Sequence, residues 1–146
     1  MKLRSSMVLV VVLCSAGVML PRLQAQTPPA SVRAGVYTKE QAARGQQKYA
    51  STCAACHGDE LAGLEMAPSL VGPDFDTNWT KQPLSALVTK IRTMPPTDPN
   101  SLSRAETVDL IAFVLSANGL PAGETPLGED NAVLSAIIYE PASTNH

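Results

Sequence analysis

This chain has 146 residues, with 11 basic and 13 acidic side chains, a formal net charge of −2, and 45% hydrophobic but only 4% aromatic residues. That balance gives it no excess of cations with which to grip a phosphate backbone or an anionic membrane surface, so neither nucleic acid nor such a surface is expected as a partner. Three cysteines, two histidines and one tryptophan leave few side chains able to carry chemistry, and their spacing becomes decisive.

Residues 1–25 read as a secretory signal. Lys2 and Arg4 form a positive start, Met7 to Leu20 is an uncharged and mostly apolar run of 14 residues, and Leu23-Gln24-Ala25 offers a cleavage site before Gln26. At about 1.5 Å per helical residue the run spans roughly 21 Å, short of a ~30 Å hydrocarbon core, so a cleaved signal is expected rather than a retained anchor. Cys14 follows the bulky Leu13, unlike a lipid-attachment cysteine, and counts as one more apolar residue of the segment. Cleavage would remove Lys2, Arg4 and Arg22, leaving 8 basic against 13 acidic side chains and a charge of −5. The expected compartment is the periplasm, with Cys53 and Cys56 as the only cysteines of the mature chain.

Residues 26–36, with Pro28 and Pro29, read as a flexible leader. Thr38-Lys39-Glu40-Gln41 then matches a capping box and predicts a helix running through Tyr49 towards Cys53. A second helix is expected from Pro83, in its first turn, to about Thr93, because Leu84, Leu87, Val88 and Ile91 share one apolar face. A third begins at Ser103-Arg104-Ala105-Glu106, another capping box. Val108, Ile111, Ala112 and Leu115 line one of its faces, and Asn118-Gly119 stops it. No stretch alternates convincingly as a strand. Residues 120–146 carry Pro121, Pro126, Pro141 and a short apolar run, Ala132 to Tyr139, which fits either a helical turn or an extended strap lying back on the domain. Residues 37–119 form one small domain whose apolar side chains alone make a marginal core, since the whole protein has six aromatic residues. A buried prosthetic group would supply the missing apolar volume.

The segment Cys53-Ala54-Ala55-Cys56-His57 is the C-x-x-C-H signature of c-type haem attachment. Two thiols three positions apart at a helix end can each add to one vinyl group of a single porphyrin. The imidazole next in sequence is carried under the ring, where a nitrogen can ligate the iron. Candidates for a second axial ligand are Met66, Met94 and His146. Met94 lies 37 residues beyond His57, where the second helix ends, and Pro95-Pro96 stiffens the chain around it. It is expected as the sixth ligand, with a core filler as the alternative. Met66, only nine residues after His57, is expected to pack on the proximal side, and the terminal His146 to lie at the surface. The Pro68 carbonyl is placed to accept the second N–H of a ligated His57, although the same residues also read as an ordinary proline turn. A structural zinc would need four convergent ligands, and a thioredoxin-like pair a βαβ setting; the pattern favours neither.

Together these motifs resemble a class I cytochrome c over residues 37–119. The resemblance rests on Gly45-x-x-x-Tyr49-x-x-x-Cys53-x-x-Cys56-His57-Gly58, on Pro68-x-Leu70-x-Gly72 and on Met94-Pro95-Pro96. It implies an all-α cytochrome c fold of three or more short helices and long loops wrapped around one covalent haem c. It also implies that Gly45 lets the first and last helices cross closely, with Phe113 packed at the crossing, and that the Pro68 carbonyl holds the proximal histidine. Trp79, Arg92-Thr93-Met94-Pro95-Pro96 and the run from Leu115 to Gly123 are similar to small cytochrome domains associated with quinoprotein dehydrogenases, and by that analogy Trp79 packs near a haem propionate or simply in the core. The function implied is that of a single-electron carrier without catalytic side chains or a small-molecule substrate. Its partners would be redox proteins: a dehydrogenase, an oxidase or another cytochrome. The alternatives are an obligate cytochrome subunit of a dehydrogenase complex, associated with a membrane through its partner, and a five-coordinate haem enzyme or gas sensor.

Overall fold

A computed structural model describes residues 31–65 and 67–142; the expected signal at 1–25, the start of the leader, Met66 and His146 lie outside the described residues. Both capping boxes form. The Thr38 hydroxyl accepts the Gln41 N–H while the Gln41 carboxamide accepts the Thr38 N–H, opening α1 (Lys39–Thr52). Ser103 and Glu106 make the same reciprocal pair ahead of α5 (Arg104–Ala117). Between them lie α2 (Ala54–His57), α3 (Gly72–Trp79) and α4 (Leu84–Ile91), and α6 (Asn131–Ala136) comes after α5. Among the described residues there is no strand, only isolated bridges, and no helix is long and apolar enough to cross a membrane. The fold is all-α.

Two features of α4 and α3 differ from the expectation. Pro83 is not in the first turn of α4 but stands just ahead of it in extended conformation, and the helix closes at Ile91 instead of Thr93. The N–H groups of Thr93 and Met94 fold back onto the carbonyls of Lys90 and Ile91 at 3.0 and 2.8 Å, a tightened turn that fits a chain about to enter Pro95-Pro96. α3 has no counterpart in the sequence expectation. It opens on Gly72-Pro73, a pair that reads as a turn, and only Phe75 of its eight residues is buried, too little to register as an apolar face.

The crossing of α1 and α5 organises the rest. A Cβ on Gly45 would sit 1.9 Å from the Asp109 carbonyl oxygen and 2.9 Å from the Phe113 Cβ, so only glycine permits this approach. One turn further along, the Phe113 ring tilts against Tyr49 at 5.3 Å between centroids. On the outer side Arg44 donates to both Asp109 carboxylate oxygens at 2.7 and 2.8 Å, and Lys48 pairs with Glu106 at 2.6 Å.

The flanking segments complete the same core. Residues 31–36, expected as part of a flexible leader, are packed: Val32 sits in a short 3₁₀ turn and is fully buried, as Val36 nearly is. Leu120, Leu127, Leu134, Ile137 and Tyr139 are buried too, so the C-terminal extension is an integral layer. The Ala132–Tyr139 run divides, with its first half in α6 and Ile137 to Tyr139 extended. The buried Gln41 carboxamide fastens this layer to α1, donating to the Leu127 carbonyl at 3.0 Å and accepting the Leu127 N–H at 2.6 Å.

Gly45→Ala is expected to lower stability by about 3 kcal/mol, because backbone overpacking outweighs the ~1 kcal/mol that alanine gains in a helix; the denaturant midpoint measures this. Lys48, then the Ser103 backbone and hydroxyl, hold the Glu106 carboxyl down to about 2. Its contribution to stability is therefore complete above the unfolded carboxylate value of ~4.3 and disappears as pH falls towards 2. Glu106→Gln should flatten that limb of the stability curve and leave the shape at neutral pH unchanged, as acid titrations of the two proteins side by side would show.

Candidate functional site

α1 delivers the first cysteine. Cys53 comes directly after its C-terminal residue Thr52, and the Cys53 N–H still reaches the Tyr49 carbonyl at 2.8 Å; α2 continues at once as a single turn. The His57 N–H bonds to the Cys53 carbonyl at 3.0 Å, which fixes the imidazole one turn after the first thiol. Gly58 ends the turn at φ +77°, a left-handed value glycine tolerates without cost. The Tyr49 hydroxyl donates to the Gly58 carbonyl at 2.6 Å and so ties the end of the turn back to α1. Burial, then the neighbouring Cys53 and Asp59, push that hydroxyl up to about 12, so it stays a donor throughout the physiological range.

The loop after α2 folds back under the imidazole. Gly63 donates to the His57 carbonyl at 2.9 Å, and Leu70 donates to the Leu61 carbonyl at 2.8 Å. Gly63 is pressed so closely on the returning chain that a Cβ would come within 2.6 Å of the Ala67 carbonyl oxygen. The Pro68 carbonyl thereby meets His57 Nδ1 at 2.9 Å. A carbonyl only accepts, so Nδ1 carries a proton, and in the neutral imidazole that leaves the lone pair on Nε2. The Pro68 carbonyl thus anchors the imidazole, and the tight turn lies just before it, closed by Leu64 and Ala67.

Asn118 was visible in the sequence only as a helix stop. Its side chain also clamps this loop, donating to the Leu70 carbonyl at 2.9 Å and accepting the Gly72 N–H at 3.0 Å. The Ser69 hydroxyl adds a bond to the Val71 carbonyl at 2.7 Å. Nothing in the spacing of Asn118 from the motif signals this contact, because 46 residues separate it from Gly72.

The two thiols are not bonded to each other; Cys53 is half-buried and Cys56 exposed. Burial, then Cys56, raise the Cys53 thiol above its ordinary value, with Lys48 opposing them. Among the described residues no three His, Cys, Asp or Glu side chains converge as metal ligands, and there is no strand beside the motif. Among the described residues the zinc and thioredoxin-like alternatives thus find neither a ligand set nor a scaffold. Two thiols on one turn, with an adjacent imidazole whose Nδ1 is satisfied internally and whose Nε2 bonds to none of the described residues, fit the demands of a covalently attached haem.

Met94 is half-buried at the end of the turn beyond α4. Its loop is closed by the Asn100 N–H on the Arg92 carbonyl at 2.8 Å and the Asp98 N–H on the Pro95 carbonyl at 3.0 Å. Trp79 ends α3, half-buried, with its ring 6.0 Å from that of Phe75. Phe75 in turn meets Tyr139 edge-on at 5.4 Å.

No curated protein matches the chain. Among solved structures it is similar to the sulfane dehydrogenase SoxCD from Paracoccus pantotrophus, at 24% identity over 82% of this chain and 68% of that one, with a TM-score of 0.48. Residues 40–114 match the family described as cytochrome c oxidase, cbb3-type, subunit III. That span runs from the first turn of α1 through Cys53, Cys56, His57 and Met94 to within a turn of the end of α5, so the chain belongs to this family of c-type cytochromes.

Proposed function

We propose that the chain is a periplasmic monohaem cytochrome that carries single electrons between a donor dehydrogenase or cytochrome and a terminal acceptor. The observation that carries this reading is the His57–Pro68 bond, which leaves Nε2 free to bind iron beside two unpaired thiols. Cys53 and Cys56 would hold the haem as thioethers, and His57 would ligate it with a basicity raised by the Pro68 carbonyl. Met94 would fill the sixth position from the loop closed by Arg92 and Asn100. A bound haem c supplies the one-electron couple, and methionine opposite histidine places its potential higher than other axial sets do. If His57 and Met94 both held the haem iron, no position would be left open to a substrate, as a carrier without catalytic side chains requires. One C-x-x-C-H motif supports one haem per chain. Docking to redox partners would be weak and transient, as small redox interfaces are.

The family match supports a second reading, since the family is named for an oxidase subunit. In that case the chain would be a resident cytochrome subunit of a larger redox complex, dehydrogenase or oxidase, and not a free carrier. Gentle purification from the native periplasm separates the two: a free carrier elutes alone, whereas a subunit elutes with its partner.

The test of the ligand set is the absorption spectrum of haem-loaded wild type and Met94→Ala. The wild type is expected to be low-spin in both oxidation states, with a ferric thioether-to-iron charge-transfer band that Met94→Ala abolishes. The variant should also show a lower reduction potential. A high-spin wild type, or a variant with an unchanged spectrum, would refute Met94 as the ligand.

A further inference from the structure

The C-terminal strap makes a set of contacts that electron carriage alone does not require. Pro83, just ahead of α4, offers no side-chain cap, and the orphan N–H of Leu84 is instead taken by the Ile137 carbonyl of the strap at 2.9 Å. One residue on, Ile138 bridges Pro83 on one side and Ser31 on the other, and the Val32 N–H reaches its carbonyl at 3.1 Å. Tyr139 then closes the α3–α4 corner twice over. Its carbonyl accepts the Lys81 N–H at 2.9 Å and its N–H donates to the Gln82 carbonyl at 2.8 Å, holding Lys81 at φ +68°, a conformation unfavourable for lysine. Its hydroxyl donates to Asp76 of α3 at 2.6 Å, and its ring, fully buried, stands edge-on to Phe75.

Met94 stands one turn beyond Ile91, the last residue of α4, and each of Arg92, Thr93 and Met94 bonds back to α4 through its N–H, at 3.0, 3.0 and 2.8 Å. Met94 is therefore rigidly continuous with α4, and the direction of α4 is set at its other end by the strap. The geometry points to Tyr139 as a positioning residue for Met94: its bond to Asp76, with the strap pairing it anchors, holds α4 where the thioether stays on the iron. This inference rests on Met94 being the sixth ligand. Loosening the strap should raise the fraction of chains in which Met94 has left the iron, without removing any group that touches the haem ligands themselves.

Free imidazole competes with a methionine ligand, and its apparent affinity rises in proportion to the population in which the methionine is off. The experiment is an imidazole titration of the haem-loaded, full-length ferric protein, with the reduction potential and melting temperature measured on the same samples. Tyr139→Phe keeps the ring and removes the hydroxyl. It should bind imidazole about tenfold more tightly than wild type and show a lower potential, the scale expected from one part-buried hydrogen bond to a carboxylate. Asp76→Asn keeps an acceptor oxygen opposite the Tyr139 hydroxyl but loses the carboxylate, and should shift by about threefold, less than Tyr139→Phe. If Tyr139→Phe fails to accumulate as holoprotein, Asp76→Ala removes the same bond from the α3 side and is held to the same expectation. A Tyr139→Phe protein that melts lower while its imidazole affinity and potential stay at wild-type values would overturn the positioning role and leave the strap as a stabiliser. An Asp76→Asn protein that shifts as far as Tyr139→Phe would overturn the role of this bond. A wild type that lacks the charge-transfer band and binds imidazole as tightly as Met94→Ala would instead refute the ligand assignment beneath the inference.

Discussion

The contact between Gly45 and the Asp109 carbonyl is the constraint on which the site depends. It lets α1 and α5 lie closer than any side chain at that position would permit. The C-terminal end of α1 carries Cys53, and the C-terminal end of α5 carries Asn118. Asn118 pins the loop at Leu70 and Gly72, just after Pro68, which fixes the His57 ring. The helix crossing thus governs both sides of the imidazole: the turn that bears it and the carbonyl that orients it. Ion pairs at the rim, Arg44 with Asp109 and Lys48 with Glu106, are partly exposed and add less than the packing beneath them.

Short-range chemistry was legible in the sequence. Thr38 with Gln41 and Ser103 with Glu106 are three residues apart, so their capping boxes could be read directly and both form. The C-x-x-C-H turn is equally local. The resemblance to class I cytochromes extended this to long-range statements, and the Gly45–Phe113 crossing and the Pro68 carbonyl bond are both present. α3 escaped because its Gly-Pro opening reads as a turn and one buried side chain makes no periodicity. The loop clamp by Asn118 and the Gln41–Leu127 clasp escaped for a different reason. Each joins polar groups far apart in sequence, and no spacing rule connects them.

The flanks carry a related lesson. A chain with six aromatic residues and a short central segment has little apolar material of its own. The segment from Ser31 to Val36 and the layer from Leu120 to Tyr139 contribute seven of the buried hydrophobic residues, among them fully buried Val32, Leu134 and Tyr139. Residues that composition marked as leader and tail therefore supply part of the apolar volume expected of the prosthetic group. They also meet each other, since Ser31 and Ile138 pair, Arg33 donates to the Pro141 carbonyl at 2.8 Å, and the Ser31 hydroxyl bonds to Glu140. Ser31 and the strap at Ile137 to Tyr139 close on the α3–α4 corner, while Leu127 of the same layer is fastened to α1 by Gln41. The two halves of the proposed ligand set thus hang from different supports: His57 from the helix crossing, Met94 from the strap.

Cys53, Cys56 and His57 together should hold one haem, and the intact mass and peptide map of the protein isolated from a host with active cytochrome maturation decide whether they do. The expected result is a mass increase of one haem per chain, located on the peptide containing both cysteines, with neither thiol open to alkylation. A chain without haem, with Cys53 and Cys56 free or joined to each other, would contradict it.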